Sequence, residues 1–123
     1  MKARTKARKR ALDILFEADL KGVPLEGIWS SADQSDEFVK FLVDGVVASL
    51  SEIDQTIEAT STGWSLERMP IVDRNLLRLA IFEIKHSTQT PKAVVIAEAV
   101  ELASTLSTEE SSNFINGLLA KIS

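Results

Sequence analysis

The chain contains no cysteine and no tyrosine, and its one histidine is His86. The absence of cysteine excludes a disulfide framework and a thiolate nucleophile, and a lone histidine excludes a multi-histidine zinc centre. There is no glycine-rich phosphate loop and no serine and histidine constellation, and no pair of carboxylates is set apart by spacing as a general acid and base. The expectation is a non-enzymatic protein with no catalytic residues, no metal and no cofactor. Long apolar runs are missing as well. The longest, Ala93 to Ala97, is far below the ~20 residues of a membrane span, and the basic N-terminus runs into Asp13 and Glu17 where a secretory signal needs an apolar block. These absences predict a cytoplasmic chain that does not engage a membrane.

What is present suffices for one domain over residues 1–123. With 45% hydrophobic residues, a chain of this length can bury roughly two-thirds of the surface its unfolded form exposes. The net charge is −4, but it is unevenly spread. Residues 1–10 carry Lys2, Arg4, Lys6, Arg8, Lys9 and Arg10 and no acid, while the remaining 113 residues hold eight basic and eighteen acidic side chains. An acidic body with a basic arm is the asymmetry of a chain that offers one segment to a polyanion. Cations in the first turns of a helix oppose its dipole at about 0.3–1 kcal/mol each, and Arg4 with Arg8, like Lys6 with Arg10, sets like charges four residues apart. A purely structural helix would carry acids there. The competing reading is a solvated charge run on a frayed terminus.

Apolar period and capping signals predict helices throughout. The first runs from Ala3 or Arg4 to Lys21 and stops at Gly22, with Ala11, Ile14, Leu15 and Ala18 as its core stripe. A loop with one helical turn around Leu25 to Trp29 follows, Trp29 acting as a lid on the core. A second helix starts after Asp33 or Ser35 and continues to about Leu50, with Gly45 marking close packing. Ser51 and Asp54 read as a capping box for a third helix, which ends near Thr60. Val72 to His86 is apolar around most of its circumference, the mark of a helix surrounded by others.

On that central helix Arg74, Arg78 and Lys85 share one arc, at about 200°, 240° and 220° from Val72. They reach the surface, either paired with acids of neighbouring helices or open to a partner. Asp73 and Glu83 fall inside the apolar arc: Asp73 suits the helix dipole, and a buried Glu83 requires a hydrogen-bonded partner. Thr90 and Pro91 open the next helix, which follows Ile96, Ala99, Val100 and Ala103. Ser107 to Glu110 then form a capping box for the last helix, with the stripe Ile115, Leu118, Leu119 and Ile122. Phe114 lies roughly 90° off that stripe beside Asn113, which suits either an RNA-stacking ring or an edge-of-core side chain.

Four blocks carry a family resemblance. Arg8-Lys-Arg-Ala-Leu-Asp-Ile-Leu-Phe16, Trp64-Ser-Leu-Glu-Arg-Met69 with Val72 to Glu83, Ala99-Val-Glu-Leu-Ala103, and Phe114-Ile-Asn-Gly-Leu-Leu119 occur in order over nearly the whole chain. Together they resemble the NusB transcription antitermination family. The resemblance implies an all-α fold of about six to seven helices in two packed three-helix bundles. It also implies binding to the boxA element of nascent ribosomal RNA, as single-stranded RNA, jointly with the small-subunit ribosomal protein that acts as NusE, in an antitermination complex on RNA polymerase. On this reading Lys2, Arg4, Lys6, Arg8, Lys9 and Arg10 carry the phosphate contacts. Glu110, Asn113 and Phe114 border the RNA, and Asp73, Arg74 and Arg78 map to the family's central-helix segment, part of which lies toward the ribosomal-protein partner and the RNA. The chain departs from the family pattern at Ala97, Ser104 and Ala120, and has Phe16 and Phe82 where tyrosines are common. Two other readings stay open: an accessory domain like that fused to some ribosomal RNA cytosine methyltransferases, and a protein-interaction module whose arm contacts no RNA. A helical surface that recruits a partner can also form a homodimer.

Overall fold

The computed structural model describes residues 2–123. Among these residues the regular structure is seven α-helices without a strand: α1 (Ala3–Lys21), α2 (Ser31–Ser35), α3 (Glu37–Ala48), α4 (Leu50–Thr60), α5 (Ile71–His86), α6 (Lys92–Leu106) and α7 (Glu109–Ala120). Single 3-10 turns at Leu25–Gly27 and Leu66–Arg68 lead into α2 and α5. The centre is α5, which packs against α1, α3, α4, α6 and α7. On one side α1 and α3 pair with each other, and on the other α6 and α7 do, so the two bundles are joined through the helix whose apolar residues encircle it. Leu76, Leu77, Ala80 and Ile81 of α5 are buried, together with Ile14 of α1, Leu42 of α3 and Leu119 of α7.

The helix ends have local causes. Gly22 closes α1 in the left-handed conformation (φ 64°), where the Val23 and Gly22 amides donate to Ala18 O and Asp19 O, the paired bonds of a Schellman cap. At Gly45 the requirement is space: a Cβ there would lie 2.0 Å from Phe82 Cζ, so α3 approaches α5 closely only because the side chain is absent. Trp29 is partly buried against the core, as the lid reading expected.

Four cap assignments shift. Asp33 does not open α3; it forms a reciprocal capping box with Ser30 at the start of α2, and Asp36 caps α3 by accepting from the Phe38 and Val39 amides. The box expected from Ser51 and Asp54 does not form, because α4 begins at Leu50 almost without a break from α3 and Ser51 already lies inside the helix. Pro91, not Thr90, is the residue preceding α6. Thr108 caps α7 by accepting from the Ser111 amide, one residue later than Ser107. At α2, α3 and α7 the serine, aspartate or threonine at the true break in backbone conformation takes the orphan amide, whereas α4 and α6 start without a side-chain cap.

Candidate nucleic-acid interface

The six cations of the N-terminal arm have three different environments. Arg8 is buried. Its Nε and Nη2 donate to Glu83 Oε1 and Oε2 at 2.8 and 2.6 Å, and its Nη1 donates to Glu98 Oε1 at 2.7 Å. Thr5 Oγ1 donates to the same Glu98 oxygen at 2.6 Å. Hydrogen bonding to Glu83 raises the Arg8 pKa above its ordinary value, and a two-pronged match of this kind is what offsets the desolvation of two buried charges. Arg8, expected to contact phosphate, here forms the ionic centre that joins α1, α5 and α6, with its donors pointing inward and occupied by Glu83 and Glu98. The partner required by Glu83 is found in the same group.

Lys9 and Arg10 lie nearer solvent and hold carboxylates. Lys9 Nζ is 2.8 Å from Asp13 Oδ2, and Arg10 donates through Nε and Nη2 to both oxygens of Asp33 at 2.8 Å. The Arg10 guanidinium holds the Asp33 carboxyl well below the usual carboxylate range. Surface pairs of this kind contribute little, about 0–1 kcal/mol, so a phosphate can compete for either cation. Lys2, Arg4 and Lys6 are exposed, with no carboxylate at ion-pair distance among the described residues. Arg4 instead donates to Gln89 Oε1 at 3.1 Å and to Thr90 Oγ1 at 3.3 Å.

On α5 two of the three cations of the arc, Arg74 and Arg78, are turned toward neighbouring helices, while Lys85 is exposed. Arg74 grips Asp19 of α1 through Nε and Nη2 at 2.7 Å each. Arg78 grips Asp54 of α4 at 2.8 and 3.0 Å and reaches Asp19 Oδ2 at 3.2 Å. Asn75 donates to Asp19 as well, at 2.8 Å. Hydrogen bonds from Arg74 lower the Asp19 pKa, and Asp19 in turn raises that of Arg74. Of the two readings of these arginines, pairing with acids of neighbouring helices is the one seen here: Arg74 and Arg78 belong to the network that ties α1 and α4 to α5, and their donors satisfy neighbouring carboxylates.

Asp73 behaves differently. It is 3% exposed, and among the described residues its Oδ1 has no hydrogen-bond partner. It borders a cleft of about 320 Å³ whose apolar wall is Met69, Pro70, Trp64 and Phe114 and whose polar side is Thr108, Glu110 and Ser111. A buried carboxylate oxygen left unsatisfied costs about 1–3 kcal/mol, and Oδ1 is closed off beneath the cleft wall.

Phe114 is half-buried against the core, and its ring meets Trp64 with centroids 6.5 Å apart at 59°. Trp64 is 56% exposed. The two rings form a ridge: the Asp73 cleft lies on one side, and a second cleft of about 300 Å³ with Thr60, Asn113, Gly117 and Lys121 lies on the other. Glu110 and Asn113 are exposed on its flanks. Sequence reasoning did not select Trp64 as a site residue. The available signal was its position directly after Thr60-Ser-Thr-Gly63, a polar turn with little core to offer a large ring.

The NusB family model matches residues 5–123. Transcription antitermination protein NusB of Acidothermus cellulolyticus is 55% identical, covering 99% of this chain and 88% of the relative. That of Salinispora tropica is 47% identical, covering 99% and 96%. Among solved structures, T. maritima NusB superposes with a TM-score of 0.88 at 33% identity, covering 98% of this chain and 90% of the other. A chain of the crystal structure of antitermination factors NusB and NusE in complex with dsRNA superposes with a TM-score of 0.82 at 29% identity, covering 97% and 94%.

Proposed function

The chain belongs to the NusB family, and on that premise we propose that it is a transcription antitermination factor that binds boxA-type single-stranded RNA jointly with the ribosomal protein acting as NusE. It is a non-enzymatic factor. Its action belongs in the cytoplasm, within a larger assembly on RNA polymerase. The observation that carries the reading is the cleft beside Asp73: an apolar wall of Trp64, Met69, Pro70 and Phe114 facing the polar Thr108, Glu110 and Ser111 gives a protein partner a hydrophobic seat with polar groups at its edge. The similar structure of NusB and NusE in complex with dsRNA supports RNA and NusE as the two classes of ligand.

Roles divide by exposure. Lys2, Arg4 and Lys6 make the first phosphate contacts, and Lys9 and Arg10 join them by exchanging Asp13 and Asp33 for phosphate. Phe114, Trp64 and Asn113 take bases at the ridge, while Asp73 and Glu110 face the ribosomal protein. With three to five cations engaged, the log–log dependence of affinity on salt should have a slope of roughly −2 to −3.5, at about 0.7 per contact.

Fluorescence anisotropy with boxA and scrambled RNA, each with and without the ribosomal protein, tests the reading. The expected result is sequence-selective binding that the ribosomal protein strengthens, with Asp73→Ala losing the strengthening while retaining RNA binding. Equal affinity for both RNAs with no response to the ribosomal protein would overturn it. Sedimentation across a concentration series reads whether a second copy competes for the partner surface.

A further inference from the structure

A separate aromatic-lined cleft lies at the C-terminal end of α5, beside the start of the basic arm. Thirteen residues of helix separate His86 from Asp73, about 20 Å of rise, so the cleft is distinct from the Trp64 and Phe114 ridge. Its volume is about 330 Å³, and Arg4, Glu37, Phe38, Phe41, His86 and Gln89 line it. Rings run in a continuous row from α3 to α5. Phe38 and Phe41 stack at 6.1 Å, Phe41 meets Phe82 at 5.0 Å, and Phe82 stacks on His86 at 4.7 Å and 25°. Only Phe82 of this row is deeply buried; Phe41 is 39% exposed and His86 is exposed. The core face of α3 is already supplied by Val39, Leu42, Val43 and Val46, so Phe41 leaves a π surface open that packing does not need.

The charge beside this surface is held in place. The Arg4 guanidinium lies over the Phe38 ring, 4.5 Å from its centroid, while Gln89 and Thr90 accept its hydrogen bonds. Neither acceptor is ionised, so the positive charge is oriented without being neutralised. Glu37 sits on the rim and repels phosphate, but its carboxylate can accept from the exocyclic amino group of a base. An amphipathic ligand with an aromatic plane, an amino edge and an anionic group matches this arrangement.

We infer that the cleft is a nucleotide subsite at the arm end of the RNA-binding surface, where one unpaired base stacks on Phe41 and His86 with its phosphate beside Arg4. The inference rests on the RNA-binding reading above. It gives the RNA two aromatic anchor points, one at each end of α5, with the exposed arm cations between it and solvent. Stacking on such rings is tolerant of base identity, so this subsite lengthens the bound stretch of RNA while the far ridge and partner can set selectivity.

The test uses the full chain and a boxA-type RNA extended at both ends, with 2-aminopurine placed at one position per oligonucleotide. Beyond the signal from the Trp64 and Phe114 ridge, a second quenched position is expected, and Phe41→Leu and His86→Ala should each abolish that second quench. Each should weaken the extended RNA by about 5- to 150-fold, the range for one stacked base, with the salt slope unchanged because no arm charge is removed. His86→Ala alters an exposed side chain and guards against a folding defect in Phe41→Leu, with circular dichroism confirming both. If both variants bind the extended RNA as tightly as the parent, the subsite is overturned and the wider RNA reading survives. If the parent binds no RNA, that reading itself fails. If the variants instead lose the ribosomal protein with RNA affinity intact, the cleft belongs to a protein partner and the inference is overturned.

Discussion

Replacing Arg8 with alanine separates structure from RNA contact within one basic segment. The substitution leaves Glu83, at 2% exposure, without the guanidinium that satisfies both its oxygens. Glu98 loses a partner too, but its side chain is 22% exposed and can be rehydrated. Removing one member of a buried ion pair costs about 3–5 kcal/mol, a large share of the 5–15 kcal/mol typical of a whole domain. Urea unfolding followed by circular dichroism at 222 nm should show the midpoint falling by about 2 M, taking m near 2 kcal/mol/M. Arg8→Met combined with Glu83→Met should recover most of the loss, because two apolar side chains of similar volume leave no charge stranded. RNA titrations at a temperature where Arg8→Ala stays folded should give an unchanged salt slope, whereas Lys6→Ala should reduce its magnitude by about 0.7. A stability loss below about 1 kcal/mol, the value for an exposed pair, together with a shallower salt slope would refute the assignment and return Arg8 to the phosphate-binding set.

Three further outcomes are expected. Gly45→Ala should destabilise the fold by about 1–3 kcal/mol through overpacking against Phe82, and Phe82→Leu in the same chain should relieve part of that loss in thermal melts. Asp19 has a depressed folded pKa, so its contribution is present above the ordinary aspartate value and lost as pH falls through the lower folded one. Asp19→Asn should lower stability at pH 7 and flatten the acid side of the stability curve as pH falls below the ordinary aspartate range, measured by denaturation at each pH. Trp64→Ala should change stability by less than about 1 kcal/mol, given the exposure of the ring, while weakening boxA RNA by about 5- to 150-fold; undiminished affinity would remove Trp64 from the ridge.

The helix boundaries were legible because they depend on local chemistry. The stripe Ala11, Ile14, Leu15 and Ala18 fixed the inward face of α1, and Gly22 its end. The all-round apolar pattern of α5 correctly marked it as the central helix. Caps slipped by a residue or more where serine, threonine and aspartate cluster, since which side chain caps depends on where the backbone turns. The inward pairing of Arg8 was not legible from the charge run, which counts charges without asking where each points. It lies three residues before Ala11 and seven before Leu15, on the core stripe, and an inward arginine on one helix was the missing partner for an inward glutamate on another. Arg74 and Arg78 shared an arc, but only the tertiary fold shows that Asp19 and Asp54 lie opposite. The clefts around Asp73 and Phe41 draw residues from distant segments, and no spacing within one helix announces them.

The two ionic clamps on α1 also set where its backbone can open. Arg8 fastens it to Glu83 near one end of α5, and Asp19 fastens it to Arg74 near the other, so sliding α1 by one residue breaks both at once. Between the clamps α1 and α5 are locked in register and open only with the whole core. Ahead of Arg8 the helix is held by weaker contacts from Arg4 and Thr5. In native-state hydrogen exchange, amide protection along α1 should therefore step up at Arg8 rather than decline smoothly toward the helix end. RNA bound to the arm should slow exchange most ahead of that step.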